Sequence, residues 1–96
     1  MPEKQVACTL PVAQGMVIKT DSEPVRAARK SMLEFLLGNH PLDCPVCDKG
    51  GECELQDMAF RYGAGESRYT ETKVHVDEQQ WSPVVFYDGP RCILCY

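Results

Sequence analysis

Four side chains that can bind a transition metal lie in one short stretch of the chain. His40 is followed by Cys44, Cys47 and Cys53, in the pattern His-x3-Cys-x2-Cys-x5-Cys. Imidazole and thiolate are ligands for zinc and for iron–sulfur clusters. Because only two residues separate Cys44 from Cys47, both sulfurs can point into one small space. The spacing therefore predicts one complete metal centre built from a single segment.

The residues between these ligands indicate a loop, but they leave the kind of metal open. Pro41 and Pro45 restrict the backbone and keep this segment out of a regular helix. Gly50 and Gly51 permit turns and let backbone N–H groups approach the sulfurs of a cluster. Three cysteines with one histidine are also an ordinary structural zinc set, and the spacing alone does not separate the two.

The composition narrows the class of protein. The chain has 96 residues, a net charge of −4 and a pI of about 5.0, which argue for one small domain and against a nucleic-acid groove. No apolar run approaches the roughly 20 residues of a membrane-spanning helix, so no direct membrane insertion is expected. Nothing at the start resembles a signal peptide, and Cys-x2-Cys pairs in a reducing compartment favour metal binding or redox chemistry over disulfides.

Helices are expected on both sides of the ligand loop. Residues 22–38 combine an N-cap residue, Ser22, with an apolar stripe of helical period that should pack under the loop. The basic group Arg26, Arg29 and Lys30 on this helix is either a solvated face or a docking face for a larger assembly. A second helix is expected at residues 53–62, starting at the last ligand, with its Met and Phe in the core.

The remaining segments predict short strands and turns. Strands are expected at residues 15–20 and 84–87, and the alternating pattern of residues 68–76 predicts a short edge strand. His75 lies in that exposed pattern and is interpreted as a surface residue rather than a ligand. Trp81 is expected to be a packing anchor, and residues 88–90 a turn. No general base, nucleophile or phosphate-binding loop is evident.

Three runs of residues together resemble one family. They are Cys8-Thr-Leu-Pro-Val, the stretch from Asn39 to Asp57, and Arg91-Cys-Ile-Leu-Cys95. They closely resemble the large iron–sulfur subunits of NADH:quinone oxidoreductase, the bacterial respiratory complex I, over essentially the whole chain. Iron-only hydrogenases and NAD-dependent formate dehydrogenases share the module of one histidine and three cysteines. The run Phe60-Arg-Tyr-Gly63 and the later cysteine pair look most like complex I.

The resemblance implies a role for each candidate ligand and favours iron over zinc. His40, Cys44, Cys47 and Cys53 match the four ligands of a [4Fe–4S] cluster. Cys8 matches the last of four cysteines that hold a [2Fe–2S] cluster. Without the resemblance, Cys8 would be interpreted as a small buried hydrophobic residue. Cys92 and Cys95 match the first two ligands of a second [4Fe–4S] cluster.

The resemblance also implies a fold and a setting. The expected fold is α+β, with a two-helix [4Fe–4S] module at residues 22–65. Residues 1–21 would end a plant-ferredoxin-like [2Fe–2S] domain, and residues 66–96 would be a connector and the start of a second [4Fe–4S] domain of the molybdopterin-oxidoreductase type. The chain would be an internal fragment of a larger protein whose ends are cut.

Its expected function is to relay single electrons from NADH and flavin towards quinone. The expected partners are other subunits of the peripheral arm of complex I, including the flavin subunit, on the cytoplasmic side of the bacterial inner membrane. The alternatives are a zinc-stapled structural module, or the iron–sulfur arm of an iron-only hydrogenase or a formate dehydrogenase.

Overall fold

The computed structural model describes residues 4–96, so the first three positions of the predicted 1–21 domain lie outside the described residues. The fold is α+β, as predicted. Its regular elements are helix α1 (Glu23–Asn39), helix α2 (Glu54–Tyr62), strand β1 (Gln79–Ser82) and strand β2 (Val85–Tyr87), with single 3₁₀ turns at Cys44–Val46 and Gly89–Arg91. No helix in the described part of the chain is long and apolar enough to cross a membrane.

Local signals at its two ends define helix α1. Ser22 is the extended N-cap residue, and its carbonyl accepts the first helical hydrogen bond from Arg26 N at 3.0 Å. The Arg26 guanidinium also binds Asp21, with Nη2 2.7 Å from Oδ2. Because a residue before proline is biased away from helical dihedrals, the helix ends when His40 turns extended ahead of Pro41. The predicted boundaries are each one residue early.

Helices α1 and α2 pack against each other along a narrow seam. Leu33 is the one buried apolar side chain in the described range, with 8% of its surface exposed. At the far end of the seam the Arg29 guanidinium lies over the Tyr62 ring, 4.9 Å from its centroid. Cation–π contacts of this kind stabilise exposed sites by about 0.5–1 kcal/mol. The seam orients the two helices that carry the ligand loop.

Most of the apolar surface is left exposed, which contradicts two predictions. The α1 stripe is not buried under the loop, since Phe35 is 80% exposed and Met32 and Leu36 are also open to solvent. Phe60 and Met58 on α2 are exposed rather than core. Trp81 is also exposed, but it packs against Tyr87 as a packing anchor should. The two helices and the hairpin do not form a further layer that could cover these faces in the described part of the chain. The helical periodicity predicted the apolar stripe correctly, but it could not predict whether another element packs on it.

The dimensions of the molecule agree with an open arrangement. The radius of gyration is 17.1 Å, whereas a compact chain of this length has about 12–13 Å. The accessible surface is 8580 Å², against about 5,500 Å² for a compact monomer of this mass. The chain therefore exposes a surface well beyond that of a self-contained domain.

Strands β1 and β2 form an antiparallel hairpin. Gln79 pairs with Tyr87, and an irregularity at Trp81 shifts the register before Ser82 pairs with Val85. The Trp81 and Tyr87 rings stack with their centroids 4.4 Å apart, which gives this exposed hairpin its main side-chain contact. The strand predicted at 84–87 is confirmed within one residue, and the predicted turn at 88–90 is the 3₁₀ turn that follows.

Two predicted strands are wrong. Neither residues 15–20 nor residues 68–76 form a strand, because no partner strand pairs with them within residues 4–96. In the second segment the Val74 N–H donates instead to the Asn39 side-chain oxygen, at 3.1 Å. Alternating sequence indicates a half-buried extended segment, but a strand also needs a neighbouring backbone.

Candidate metal centre

The loop between the helices is a series of tight backbone turns. Val46 N donates to Asp43 O at 2.9 Å and Gly50 N donates to Cys47 O at 3.0 Å. A further turn brings the chain to Cys53, which is the N-cap residue of α2. These turns satisfy several backbone groups of the loop within the loop itself.

Gly50 and Gly51 are required by the shape of this loop. A Cβ at Gly50 would lie 2.5 Å from the Cys44 carbonyl oxygen and 3.1 Å from that of Cys47, so the turn closes only around a glycine. Gly51 has a φ of +90°, which residues with a Cβ rarely adopt. Its N–H donates to Gln56 Oε1 at 2.9 Å, which ties the loop to the first turn of α2.

The loop cysteines are half-buried and chemically available. All six cysteines of the chain are free thiols, and Cys44, Cys47 and Cys53 are each partly covered. Over residues 4–96 no three His, Cys, Asp or Glu side chains converge closely enough to hold a single metal ion.

The donor atoms of this loop are compatible in type with an iron–sulfur cluster. A [4Fe–4S] cluster takes its protein ligands around a body larger than one ion, so they need not meet at one point. The donor set of thiolates and imidazole fits such a group.

His40 sits at the junction of α1 and the loop. Partial burial, aided by the Lys73 ammonium and opposed by Asp43, lowers the pKa of His40 below its ordinary value. A neutral ring is the form that binds a metal. His40 also lines an open cleft of about 440 Å³, together with residues of α1 and the hairpin but none of the three loop cysteines.

The three outer cysteines are all exposed. The reading of Cys8 as a small buried hydrophobe is therefore wrong. Next to the hairpin, a hydrogen bond with Cys92 and the charge of its thiolate raise the pKa of Tyr87. Between Cys92 and Cys95 the backbone turns at Leu94, whose φ of 55° lies in the left-handed region.

One of the remaining polar side chains lies where the sequence predicted it, and two have contacts that the sequence did not predict. His75 is exposed and pairs with Asp77, its Nε2 3.4 Å from Oδ1, in agreement with a surface role. Sequence reasoning missed Lys73 and Arg91, which contact the loop from 33 and 48 residues away. Contacts of that separation leave no periodic or spacing signal.

Comparison with known proteins places this loop in an iron–sulfur class. Residues 29–68 match a family described as the NADH-ubiquinone oxidoreductase-G iron-sulfur binding region. This range includes α1 from its second turn, the whole loop and α2.

The chain as a whole is similar to components of one enzyme complex. It is 50% identical over 94 residues to the NADH-quinone oxidoreductase G subunit of Rickettsia felis, which is 98% of this chain and 14% of that protein. It is 52% identical over 93 residues to the G 2 subunit of the Rhizobium meliloti enzyme, or 95% of this chain and 11% of the relative. It is 45% identical over 97 residues to the mitochondrial NADH-ubiquinone oxidoreductase 78 kDa subunit of Neurospora crassa. That alignment covers 99% of this chain and 13% of the relative.

These matches confirm the resemblance that the sequence indicated. Residues 29–68 are similar to the iron-sulfur binding region of NADH-quinone oxidoreductase G subunits, and the chain spans about one seventh of the length of the relative from Rickettsia felis.

Proposed function

We propose that the chain is an electron-relay segment of an NADH:quinone oxidoreductase subunit, passing single electrons from NADH and flavin towards quinone. One observation carries the proposal: the match to the iron–sulfur binding region, residues 29–68, includes His40 and all three loop cysteines. The relatives are named as oxidoreductase subunits, and no residue of this chain suggests bond-making chemistry of its own.

The proposed ligands are His40, Cys44, Cys47 and Cys53, holding a [4Fe–4S] cluster. When bound, such a cluster accepts and releases one electron with little rearrangement, which zinc cannot do. The chain supplies the ligands, partial cover from solvent and a turn fixed by Gly50. A neutral His40 in place of a thiolate removes one negative charge from the site, which raises the reduction potential relative to four cysteines.

Two further centres are proposed as partial ones. Cys8 would supply one ligand to a [2Fe–2S] cluster, and Cys92 with Cys95 would supply two ligands to a second [4Fe–4S] cluster. All three are exposed, so they are accessible to complete such sites with cysteines from outside these 96 residues. The ferredoxin-like domain and the second cluster domain are part of the same proposal.

The proposed partners are other subunits of the peripheral arm of complex I, including the flavin subunit, on the cytoplasmic face of the bacterial inner membrane. The exposed apolar faces of α1 and α2 support an assembly, because a soluble monomer rarely leaves side chains such as Phe35 and Phe60 open together. The basic group of α1 remains either solvated or part of that interface.

Metal analysis tests the proposal against a zinc-stapled module. Anaerobic reconstitution with iron and sulfide should give a brown protein with acid-labile sulfide and an EPR signal on reduction. Cys47→Ser should abolish or weaken that signal, while the matched variant Cys8→Ser should retain it. Stoichiometric tetrahedral zinc, with no cluster signal after reconstitution, would contradict the proposal.

A further inference from the structure

We propose that Lys73 is a positioning residue for His40 and a fixed positive charge beside the metal centre. The inference rests on the proposed function, since it concerns the [4Fe–4S] cluster that His40 would bind. It assigns a role to a segment of extended backbone far from the ligand motif in sequence.

Lys73 closes the C-terminal end of helix α1. Its Nζ donates to the carbonyl oxygens of Leu37, at 3.2 Å, and of His40, at 2.5 Å. The last turn of α1 contains no basic residue of its own, so these carbonyls would otherwise lack a cation. Cations stabilise a helix C-terminus because the exposed carbonyls carry partial negative charge. The Lys73 side chain is half-buried, which limits screening by solvent.

A second set of contacts holds Lys73 in place. The Asn39 side-chain oxygen accepts hydrogen bonds from Val74 N at 3.1 Å and from the Tyr69 hydroxyl at 3.2 Å. These bonds hold the backbone directly after Lys73, and the side chain of Tyr69 before it, against the end of α1. The Lys73 ammonium is therefore carried by a segment that is itself hydrogen-bonded to helix α1.

Two consequences for the cluster follow. Because Lys73 binds the carbonyl of the ligand residue itself, it restrains the backbone from which the His40 imidazole projects. The ammonium also adds a positive charge near the centre, which favours the reduced, more negative state of a cluster. Groups that orient a metal ligand in this way commonly change metal affinity by about 10- to 100-fold when removed.

The test compares Lys73→Met, Lys73→Arg and the control Lys30→Met in the reconstituted 96-residue chain. Lys30 is an exposed cation of α1 outside the loop. Three readouts are used: the midpoint potential of the cluster, the histidine nitrogen coupling in pulsed EPR, and the rate of iron loss to a chelator.

We expect Lys73→Met to shift the potential to more negative values, to change the nitrogen coupling and to speed iron loss by about 10-fold. Lys73→Arg should keep the potential close to that of the parent, since it keeps the charge. Lys30→Met should change none of the three. A fall in thermal stability alone, with potential and nitrogen coupling equal to those of Lys30→Met, would overturn the inference.

The two proposals fail in different ways. A parent chain that loads a cluster normally, with Lys73 variants indistinguishable from the control, rejects the positioning role and leaves the proposed function intact. A parent chain that takes up no cluster rejects the proposed function and this inference together.

Discussion

Arg91 Nε lies 3.3 Å from Asp43 Oδ2, so one ion pair joins the residue before Cys92 to the residue before Cys44. The same nitrogen lies 3.2 Å from Asp88 Oδ2. Partial burial acts to lower the pKa of Arg91, but the bond to Asp43 and the two carboxylate charges outweigh it and raise the pKa. Arg91 thus connects the proposed complete centre with the start of the proposed second one.

Replacing Arg91 should loosen both of the segments that it connects. Arg91→Gln leaves the Asp43 and Asp88 carboxylates without their shared cation, and Asp88 Oδ1 already lacks a hydrogen-bond partner among the described residues. We expect faster amide hydrogen exchange at residues 43–47 and 89–92 and a lower Tm. Arg26→Gln, which breaks an exposed pair with Asp21, is the control and should leave both segments unchanged. Equal exchange in the two variants would contradict a connecting role for Arg91.

The turn at Gly50 should not accept a side chain. Gly50→Ala places a Cβ against two backbone carbonyls, where relief requires movement of the loop itself, so we expect a loss of about 1–3 kcal/mol in the free energy of unfolding. The matched control is Gly38→Ala in α1, whose Cβ would meet only the Tyr69 ring at an ordinary 3.7 Å. That change should hold or raise stability by up to about 1 kcal/mol. Urea unfolding followed by circular dichroism measures both, and equal effects would contradict the account of the turn.

Substitution of His40 distinguishes a ligand from a neighbour. His40→Cys should keep a cluster at a more negative potential, because a thiolate adds a negative charge where the neutral imidazole had none. His40→Ala should leave one iron without a protein ligand and make the cluster labile to oxygen. Redox titration and the decay of the visible absorption measure these effects. Unchanged spectra and oxygen stability in His40→Ala would rule out His40 as a ligand.

Local features of the sequence are sufficient to predict the helices. Ser22, Pro24 and the turn into Pro41 act within a few residues, so the predicted limits of α1 and α2 agree with the structure to within one residue at either end. The segment at residues 15–20 has strand-forming residues, yet a strand depends on a partner that the sequence does not identify. The burial predictions failed for the same reason, because Phe35 fits an apolar stripe that no described residue covers.

The candidate site was predictable in part. The proposed ligands and their spacing lie in one short stretch of sequence. Gly50 lies in the same stretch, where the tight loop leaves no space for a Cβ. Lys73 and Arg91 reach the loop from 33 and 48 residues away, and each looks like an ordinary surface cation in the sequence. Their roles depend on the fold, which brings the segments that carry Lys73 and Arg91 back to the end of α1 and to the loop.

The 96-residue chain should bind one cluster and leave three cysteines reactive. Cys8 offers a single thiolate, and Cys92 with Cys95 offers two, whereas these cluster types take four ligands. We therefore expect about four irons per chain after reconstitution. The exposed positions of Cys8, Cys92 and Cys95 should make them open to alkylation under anaerobic conditions, while the loop cysteines become protected once iron is bound. Iron analysis and mass spectrometry of the alkylated peptides measure both quantities. A value near eight irons in a monomer, or protection of all three outer cysteines, would show that the partial sites close within this chain.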